Sequence, residues 1–286
     1  MNQFEALTQI NLDDLVTSFG WENYPLPARL LRILFRSAAR AFARQMIEFD
    51  QAVGTRGISE GGRFLLQKYV KELRVLGADR IPDSSFLALS NHPGVTDTIA
   101  LFSAIDRRDL KIIALERPFL KALPNTSKHL YYVHDDPAKR ISMVRRVSSH
   151  LKGGGAVLTF PAGRIEPDPD VYKGAELSLQ GWTDSVGVFV RMAPESPVLP
   201  VLVRGVISAR HARHWLLKFK HAREEKEKLA TALQLLSMVM FGEKPVTVTV
   251  QFGRPVYARE LGSRNTSTIH QEVIAEMERL IENERG

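Results

Sequence analysis

The chain has 286 residues, of which 44% are hydrophobic and 25% are charged. This length and composition suffice for a sizeable core, which excludes a disordered or low-complexity protein. The absence of cysteine excludes disulfides, thiolate metal sites and an acyl-cysteine intermediate. A net charge of +7 favours polyanionic partners, namely nucleic acid, anionic lipid or a phosphorylated substrate, without choosing among them.

Membrane contact is expected to be peripheral. No run of about 18 apolar residues is present, so the sequence predicts no transmembrane helix. Residues 1–14 carry acids and no apolar stretch, so they do not resemble a signal peptide. We therefore expect a cytoplasmic protein that contacts the inner face of the membrane.

Residues 28–49 have the pattern of a basic amphipathic helix. Apolar residues recur at steps of three and four on one face, and arginines recur at the same steps on another. The two sets are Leu30, Leu31, Leu34, Ala38, Phe42 and Met46, and Arg29, Arg32, Arg36, Arg40 and Arg44. Such a helix lies in a bilayer interface or packs on its own domain, and the pattern fits both equally.

Helical and strand-like stretches alternate along the rest of the chain. Helices are predicted at about 60–75, 96–105, 138–151, 223–241 and 267–284. Strands are predicted at 85–90, 110–115, 130–134, 156–160, 198–203 and 245–252, with Pro200 marking a strand end. The alternation predicts an α/β fold with a mixed, largely parallel sheet flanked by helices. We expect an N-terminal helical segment over residues 1–78, with membrane association as one of the two alternatives for its basic helix, and an α/β domain over residues 79–286.

His92 lies where a predicted strand turns into a predicted helix. In α/β proteins, crevices form at such strand ends. Four residues, including a Pro-Gly turn, separate His92 from Asp97, and Thr96 is placed to cap the helix. The carboxylate can fold back to one ring nitrogen, fix the tautomer and leave the other nitrogen free to accept a proton. Taken alone, the pattern also fits a turn histidine beside an acid at a helix N-terminus.

A second turn, strand and loop follow at residues 153–166. The three glycines at 153–155 lack the lysine and the spacing of a nucleotide-binding loop. Gly163 permits close approach of the loop backbone to a ligand. Arg164, Glu166 and Lys173 place charge at the rim of the predicted site, where arginine and lysine suit a phosphate. The candidate substrate-binding residues of this loop are Phe160, Pro161, Gly163, Arg164, Glu166 and Lys173.

These segments together resemble the glycerophospholipid acyltransferase family. The family's Asn-His-x4-Asp motif is similar to Asn91, His92 and Asp97. Its Phe-Pro-x-Gly motif is similar to residues 160–163, and residues 172–175 and 198–201 resemble later motifs in the same order. The resemblance covers roughly residues 80–255.

Two departures from the family pattern concern the acyl acceptor. Ala162 and Arg164 stand where the family usually has glutamate and threonine. The stretch 130–136 offers acids where the family's second motif ends in a phosphate-binding arginine, and Arg140 and Lys139 are the candidates to replace that arginine. The resemblance therefore leaves open whether the acceptor is another lysolipid or an alcohol without a phosphate.

The resemblance implies an acyltransferase in which His92 is the general base and Asp97 orients it. The donor would be an acyl-CoA or acyl carrier protein thioester, and the acceptor a hydroxyl of a lysophospholipid or related glycerolipid. Asn91 and the loop residues would bind substrate, with no cofactor, no metal, and a membrane surface with anionic lipid as partner. The alternative is a non-catalytic lipid- or acyl-thioester-binding protein of the same fold, for which Ala162 is the best support.

Residues 211–221 combine histidines, basic residues and aromatic residues. The surrounding arginines and lysines disfavour a metal site at His211 and His214 and favour a basic surface patch. With Trp215 and Phe219 among them, the stretch is also a candidate membrane-interface patch. No signature of a nucleic-acid-binding motif is visible, so no nucleic acid is expected as a partner.

Overall fold

The computed structural model describes residues 2–184, 186–260 and 266–282. Within these ranges seven strands form one sheet in the order β1-β7-β6-β2-β5-β3-β4. The strands are β1 (Val70–Leu76), β2 (Phe86–Ser90), β3 (Lys111–Leu115), β4 (Leu130–Val133), β5 (Ala156–Thr159), β6 (Val198–Arg204) and β7 (Val246–Phe252). Neighbouring strands are parallel except β6 and β7, which confirms the predicted mixed, largely parallel sheet.

Helices cover both faces of this sheet. The N-terminal helices are α1 (Gln3–Phe19), α2 (Pro25–Leu34), α3 (Arg36–Arg56) and α4 (Ile58–Tyr69). The helices between strands are α5 (Val95–Ile105), α6 (Pro118–Lys121), α7 (Pro124–Ser127), α8 (Pro137–Lys152), α9 (Ala175–Leu179), α10 (Val186–Met192), α11 (Ala209–Ala212) and α12 (Arg223–Phe241). The last is α13 (Thr266–Glu282), and the predicted extension to residues 283 and 284 lies outside the described residues.

The central strand β2 is buried on both faces because alternate side chains enter two different cores. Phe86 and Ala88 pack with residues of α3, α4 and α5. Leu87 and Leu89 pack with residues of α8, α10 and α13. The continuous apolar sequence of β2 is what this double burial requires, and it places the end of the strand in the middle of the sheet.

The predicted helix at 60–75 is wrong in its second half. Helix α4 ends at Tyr69, and the chain continues as β1, which pairs in parallel with β7. The apolar residues of Val70–Leu76 have a spacing that also suits a helix, and the partner strand lies about 170 residues further along the chain. Strand β1 belongs to the sheet although it falls within residues 1–78; the division of the chain after residue 78 stays a prediction.

Pro200 lies inside β6, which corrects its prediction as a strand end. The N–H of Val198 bonds to the carbonyl of Val256, so the nitrogen of Pro200, two residues on, faces the same neighbour. Beyond Phe252 that neighbour leaves the regular ladder, and Gly253 donates to the Pro200 carbonyl instead. A proline fits at position 200 because the neighbouring chain requires a backbone hydrogen-bond acceptor there and no backbone donor.

The single helix predicted over 28–49 is two helices that meet at Phe35. In α3, Ala38 and Met46 are buried, so the packing alternative holds for this half. In α2, Leu30 and Leu34 are each 65% exposed. Part of the predicted arginine face lies against α1. Arg32 pairs with Asp13 and Arg40 with Glu5. Arg44 lies over the ring of Phe4, 5.9 Å from its centroid.

Helix α5, which carries Asp97, packs closely on α4 at Gly62. A side-chain carbon at Gly62 would lie 2.9 Å from the carbonyl oxygen of Ile99 and 3.1 Å from Cβ of Phe102. We expect Gly62→Val to lower the free energy of unfolding by about 2 kcal/mol or more because it forces the helices apart. Urea unfolding measures this, with Gln67→Val on the exposed side of α4 as the control. Equal losses in both variants would contradict the close packing.

Candidate active site

The carboxyl ends of three adjacent parallel strands meet at one edge of the sheet. Strands β5, β2 and β6 lie side by side. The chain leaves them through residues 91–94, 160–174 and 205–208. Polar side chains in such loops converge because parallel strands end at the same edge. These three loops form the candidate site.

His92 and Asp97 are in direct contact. Nδ1 of His92 lies 2.8 Å from Oδ2 of Asp97, as the spacing predicted. Asp97 is fully buried, and its oxygens also accept the N–H of Gly94 and the hydroxyl of Thr98. The carboxylate is therefore held from several sides. Because it accepts at Nδ1, the hydrogen of the neutral ring belongs on Nδ1, and Nε2 carries the lone pair.

The other ring nitrogen is the open one. Nε2 of His92 has no hydrogen-bond partner within residues 2–184, 186–260 and 266–282, and it is not an enclosed atom. The His92 side chain is 30% exposed. The ring of Phe160 lies against the imidazole with centroids 4.6 Å apart. A group that approaches from solvent thus meets Nε2 beside an apolar wall.

Two opposing effects act on the imidazole. Burial lowers the pKa of His92, but the charge and hydrogen bond of Asp97, with a further contribution from the charge of Glu166, raise it by more. The net result is a pKa above the ordinary value of 6.5. Such a histidine is a stronger base than a free one, at the cost of being neutral only at higher pH.

The cap of α5 differs from the prediction. The helix begins at Val95, so Gly94 and not Thr96 is the N-cap residue. The N–H of Gly94 donates to the carboxylate of Asp97. Thr96 lies inside the first turn, and its buried hydroxyl has no partner among the described residues. The carboxylate of Asp97 therefore serves two purposes: it caps the helix and holds His92.

Asn91 joins two strands and does not face the open side of the site. Its side-chain amide donates to the carbonyl of Val203 at 2.8 Å and accepts the N–H of the same residue at 2.7 Å. The residue is buried. It thus extends the pairing of β2 with β6 by one step and places the following histidine; the structure gives no contact through which it would reach a substrate.

Glu166 is also inside the protein and not at the rim where the sequence placed it. It is 2% exposed. Its Oε2 accepts the N–H of His92 at 3.1 Å, and its own N–H donates to the His92 carbonyl at 2.9 Å. Burial raises the pKa of Glu166, against the hydrogen bonds from Trp182, Ser178 and the His92 N–H, which lower it. Glu166 therefore contacts the main chain of His92 from inside the protein.

The remaining predicted residues of the 160–174 loop divide into buried and exposed positions. Pro161 is buried, and its carbonyl accepts the N–H of Thr183. Gly163, with a φ of 62°, sits in an exposed turn where nothing lies near the position of a side-chain carbon. Arg164 is exposed and 3.4 Å from Glu224, and Lys173 is exposed. The loop thus places two cations at the rim.

Arg140 lies apart from this group. It donates to the carbonyls of His134 and Asp135, which follow β4. Strand β4 is the third strand from β2, and this separation corresponds to about 14 Å across the sheet. The structure therefore does not bring Arg140 to His92, and a part in binding would involve only the far end of a long ligand.

Sequence reasoning missed Asp168, which joins the second loop to the third. Its carboxylate is fully buried and accepts the N–H groups of Gly205, Val206, Ile207 and Asp170 at 2.7–3.1 Å. Burial raises its pKa, against the bonds from the backbone. The Pro-Asp-Pro-Asp sequence signals a turn, but no local signal points to partners 37 to 39 residues away.

The histidines at 211–214 form no metal site. His211 is buried and hydrogen-bonded to Ser208 at 2.7 Å. Among the residues that the structure describes, no group of three or more histidine, cysteine or acidic side chains is placed to hold a metal ion. Burial and the nearby Arg210 lower the pKa of His211, which suits a neutral, structural side chain.

Fold and site define an α/β protein with a histidine–carboxylate pair at the carboxyl edge of its sheet. No family model matches the sequence, and no curated protein matches it. Among solved structures, the chain is similar to the 1-acyl-sn-glycerophosphate (LPA) acyltransferase PlsC from Thermotoga maritima, with 18% identity, 96% of each chain covered and a TM-score of 0.45. A likeness at that level carries no argument about function, which has to rest on the site itself.

Loss of the Asp168 charge tests the join between the loops. In Asp168→Asn the amide NH2 must face backbone N–H donors whichever way it points, because both oxygens of the native residue accept from the backbone. We expect the free energy of unfolding to fall by about 2–3 kcal/mol in urea titrations. Asp170→Asn, at an exposed position, is the control and should cost less than about 1 kcal/mol. A similar small loss at both positions would contradict this role of Asp168.

Proposed function

We propose that the protein is an O-acyltransferase in which His92 is the general base. The observation that carries this proposal is the arrangement of the imidazole, with Nδ1 held by buried Asp97 and Nε2 open to an incoming group. A histidine oriented in this way takes a proton from a hydroxyl and stabilises the charge that it acquires. The sequence resemblance to glycerophospholipid acyltransferases rests on the same two residues.

The reaction is a direct transfer from a thioester to an alcohol. Nε2 of His92 removes the proton of the acceptor hydroxyl while its oxygen attacks the thioester carbonyl carbon. The carbon–sulfur bond then breaks, and the imidazolium returns the proton to the departing thiolate, which leaves as a thiol. The carboxylate of Asp97 stabilises the imidazolium. No enzyme nucleophile is needed, and the balance of atoms requires no cofactor.

The donor is an acyl-CoA or acyl carrier protein thioester, and the acceptor is a lysophospholipid or related glycerolipid. Support for a phosphorylated ligand comes from the cations at the rim. Arg164 and Lys173 are exposed there, and Arg223 approaches Gly174 of the same loop. Arginine and lysine side chains in such a position suit a phosphate of either substrate.

An alternative is a binding protein of the same fold without catalysis. Ala162, half-buried against the second hydrophobic core, offers no polar group at a position where the resembling family usually has a glutamate. The organised His92–Asp97 pair argues against this alternative, because a binding protein has no need of an oriented base. The first experiment below separates the two.

We propose that the partner surface is an anionic membrane. Among the segments that expose large apolar side chains are α2, with the residue before it, and residues 215–219. We call these two segments together the apolar surface, which consists of Tyr24, Leu26, Leu30, Ile33, Leu34, Trp215 and Phe219. No helix among the described residues is both long and apolar enough to cross a bilayer. An amphipathic helix of this kind inserts its apolar face into the interface and leaves its basic residues among the headgroups.

Contacts between the segments support one surface. Lys220 donates to the carbonyl of Phe19 at 2.9 Å, and Leu217 packs in one cluster with Phe19. The segment 215–219 therefore lies beside the end of α1, and five residues of chain separate that end from the start of α2. The chain then enters α12, whose first turn contacts the loop of the site through the Arg164–Glu224 pair. The apolar surface and the rim of the site are thus near neighbours.

The charge of the apolar surface is complementary to anionic lipid. Residues 24–36 contain three arginines and no acid, and residues 210–221 contain two arginines and two lysines and no acid. Each basic residue near an anionic leaflet contributes about 1 kcal/mol to binding. The negatively charged inner face of the membrane is the leaflet that this charge favours.

Replacement of the base tests the reaction. We expect His92→Ala to lower acyl transfer at least 100-fold, since general-base help contributes about 10²–10⁴-fold. Free thiol from acyl-CoA and acylated product from mixed lysolipids are measured together. His134→Ala, at a histidine that pairs with Glu116 outside the site, is the control. Near-normal turnover by a folded His92→Ala variant would exclude the mechanism, and no turnover by the wild type with any acceptor would favour the binding protein.

A charge placed on the apolar surface tests membrane binding. We expect Leu30→Asp to lower the affinity for vesicles containing phosphatidylglycerol at least tenfold, because a leucine side chain contributes about 1.5–3 kcal/mol when it is buried. Co-sedimentation with vesicles measures the affinity, and added salt should weaken it. Ile141→Asp is the matched control, since Ile141 is also exposed, at 55%, but lies on α8. Equal binding of both variants would disprove the assignment of the surface.

A further inference from the structure

We infer that Glu166 is a positioning residue that clamps the peptide group of His92 and strengthens it as a base. The inference rests on the proposed function, because it assigns a role in the proton transfer by His92. Two hydrogen bonds run in opposite directions between the residues: the His92 N–H donates to Oε2 of Glu166 at 3.1 Å, and the Glu166 N–H donates to the His92 carbonyl at 2.9 Å. Glu166 thus provides a hydrogen-bond partner for both the N–H and the carbonyl of His92.

The second carboxylate oxygen is anchored in the protein. Oε1 of Glu166 accepts the indole N–H of Trp182 at 2.8 Å and the hydroxyl of Ser178 at 3.0 Å. The N–H groups of His92 and Trp182 can only donate, so each oxygen of Glu166 accepts at least one hydrogen bond, as suits an ionised carboxylate. The Ser178 hydroxyl shares its one hydrogen with the carbonyl of Ala175, 2.6 Å away. Trp182 is itself buried, at 4% exposure. The position of the carboxylate is therefore set by α9 and the turn after it, and is independent of any ligand.

An ionised carboxylate at 2% exposure is costly to bury. The neutral amide of glutamine has only one accepting oxygen, so it cannot accept the N–H groups of both His92 and Trp182. The charge of the carboxylate also favours the imidazolium form of the adjacent histidine. Glu166 does not face the open side of the ring, so it acts through His92 and not on the substrate.

The groups around His92 have charges of one sign. Asp97 faces it from α5, and Glu166 from the loop after β5, and both raise its pKa. On the side of β6, the apolar side chains of Val206 and Ile207 approach Gly94. Phe160 covers the ring from the end of β5. The imidazolium that forms during the reaction is therefore stabilised from two directions, with Asp97 the nearer group.

The test replaces the charge and keeps the shape. Glu166→Gln removes the negative charge and, with two donors at Oε1, turns its NH2 group towards the His92 N–H. We expect the pKa of His92, followed by NMR of its ring, to fall in this variant. The acid limb of the kcat/KM profile should move to lower pH, because the base is then neutral at lower pH. We expect kcat to fall at least tenfold and KM to change less than twofold.

Trp182→Phe is the matched control because it removes one bond to Glu166 but keeps the charge. We expect the His92 titration of this variant to stay closer to that of the wild type than the titration of Glu166→Gln. A folded Glu166→Gln variant with an unchanged His92 titration would overturn the inference. Equal shifts in both variants would do the same, since packing and not charge would then be the cause.

A measurement on the wild type covers the case in which Glu166→Gln does not fold. The His92 amide lies in a loop, yet the clamp predicts that it exchanges with solvent as slowly as the amides of β2. Fast exchange at His92 would overturn the inference without any variant. The NMR titration and the exchange rate need no turnover, so both can succeed even when the acyl transfer assay fails, which separates this inference from the proposed function.

Discussion

The site depends on carboxylates that are buried at the carboxyl edge of the sheet and accept hydrogen bonds from backbone N–H groups. Asp97, Glu166 and Asp168 are each no more than 2% exposed. Asp97 lies at the start of α5, and Glu166 and Asp168 lie in the 160–174 loop. Asp97 and Glu166 accept N–H groups of residues 91–94, and Asp168 accepts N–H groups of residues 205–207. A buried carboxylate without such donors would take up a proton or unfold the loop. With them, it joins turns that have no regular secondary structure of their own.

This arrangement explains how loops hold a histidine in a defined place. The main chain of His92 is held by Glu166, its ring by Asp97, and the residue before it by the pairing of Asn91 with β6. Side chains in loops usually have more freedom than those in strands. Here three separate parts of the chain restrict one residue, and only Nε2 is left without a partner among the residues that the structure describes. An oriented base loses less entropy when its substrate arrives.

The sequence alone predicted the parts of this arrangement that depend on short separations. The apolar run of β2, the turn after it and the return of Asp97 to His92 all lie within a dozen residues, so local patterns sufficed. The parts that it missed involve long separations. Strand β1 was taken for helix because its partner β7 is about 170 residues away, and Asp168 was overlooked because its donors lie 37 to 39 residues downstream. Glu166 was recognised as important but placed at the rim, because a sequence does not show that Trp182 and Ser178 bind its second oxygen.

The charges near His92 bear on the acceptor. Both charged groups that shift its pKa are acids, and the cations of the site, Arg164 and Lys173, are exposed on the 160–174 loop. A phosphate placed directly beside the imidazole would meet two carboxylates, whereas at the rim it would meet cations. If the acceptor is phosphorylated, as we propose, its reacting hydroxyl is then separated from its phosphate by part of the molecule, as it is in a glycerolipid. On this proposal the phosphate binds at Arg164 and Lys173 of the 160–174 loop, and no arginine is needed at residues 130–136.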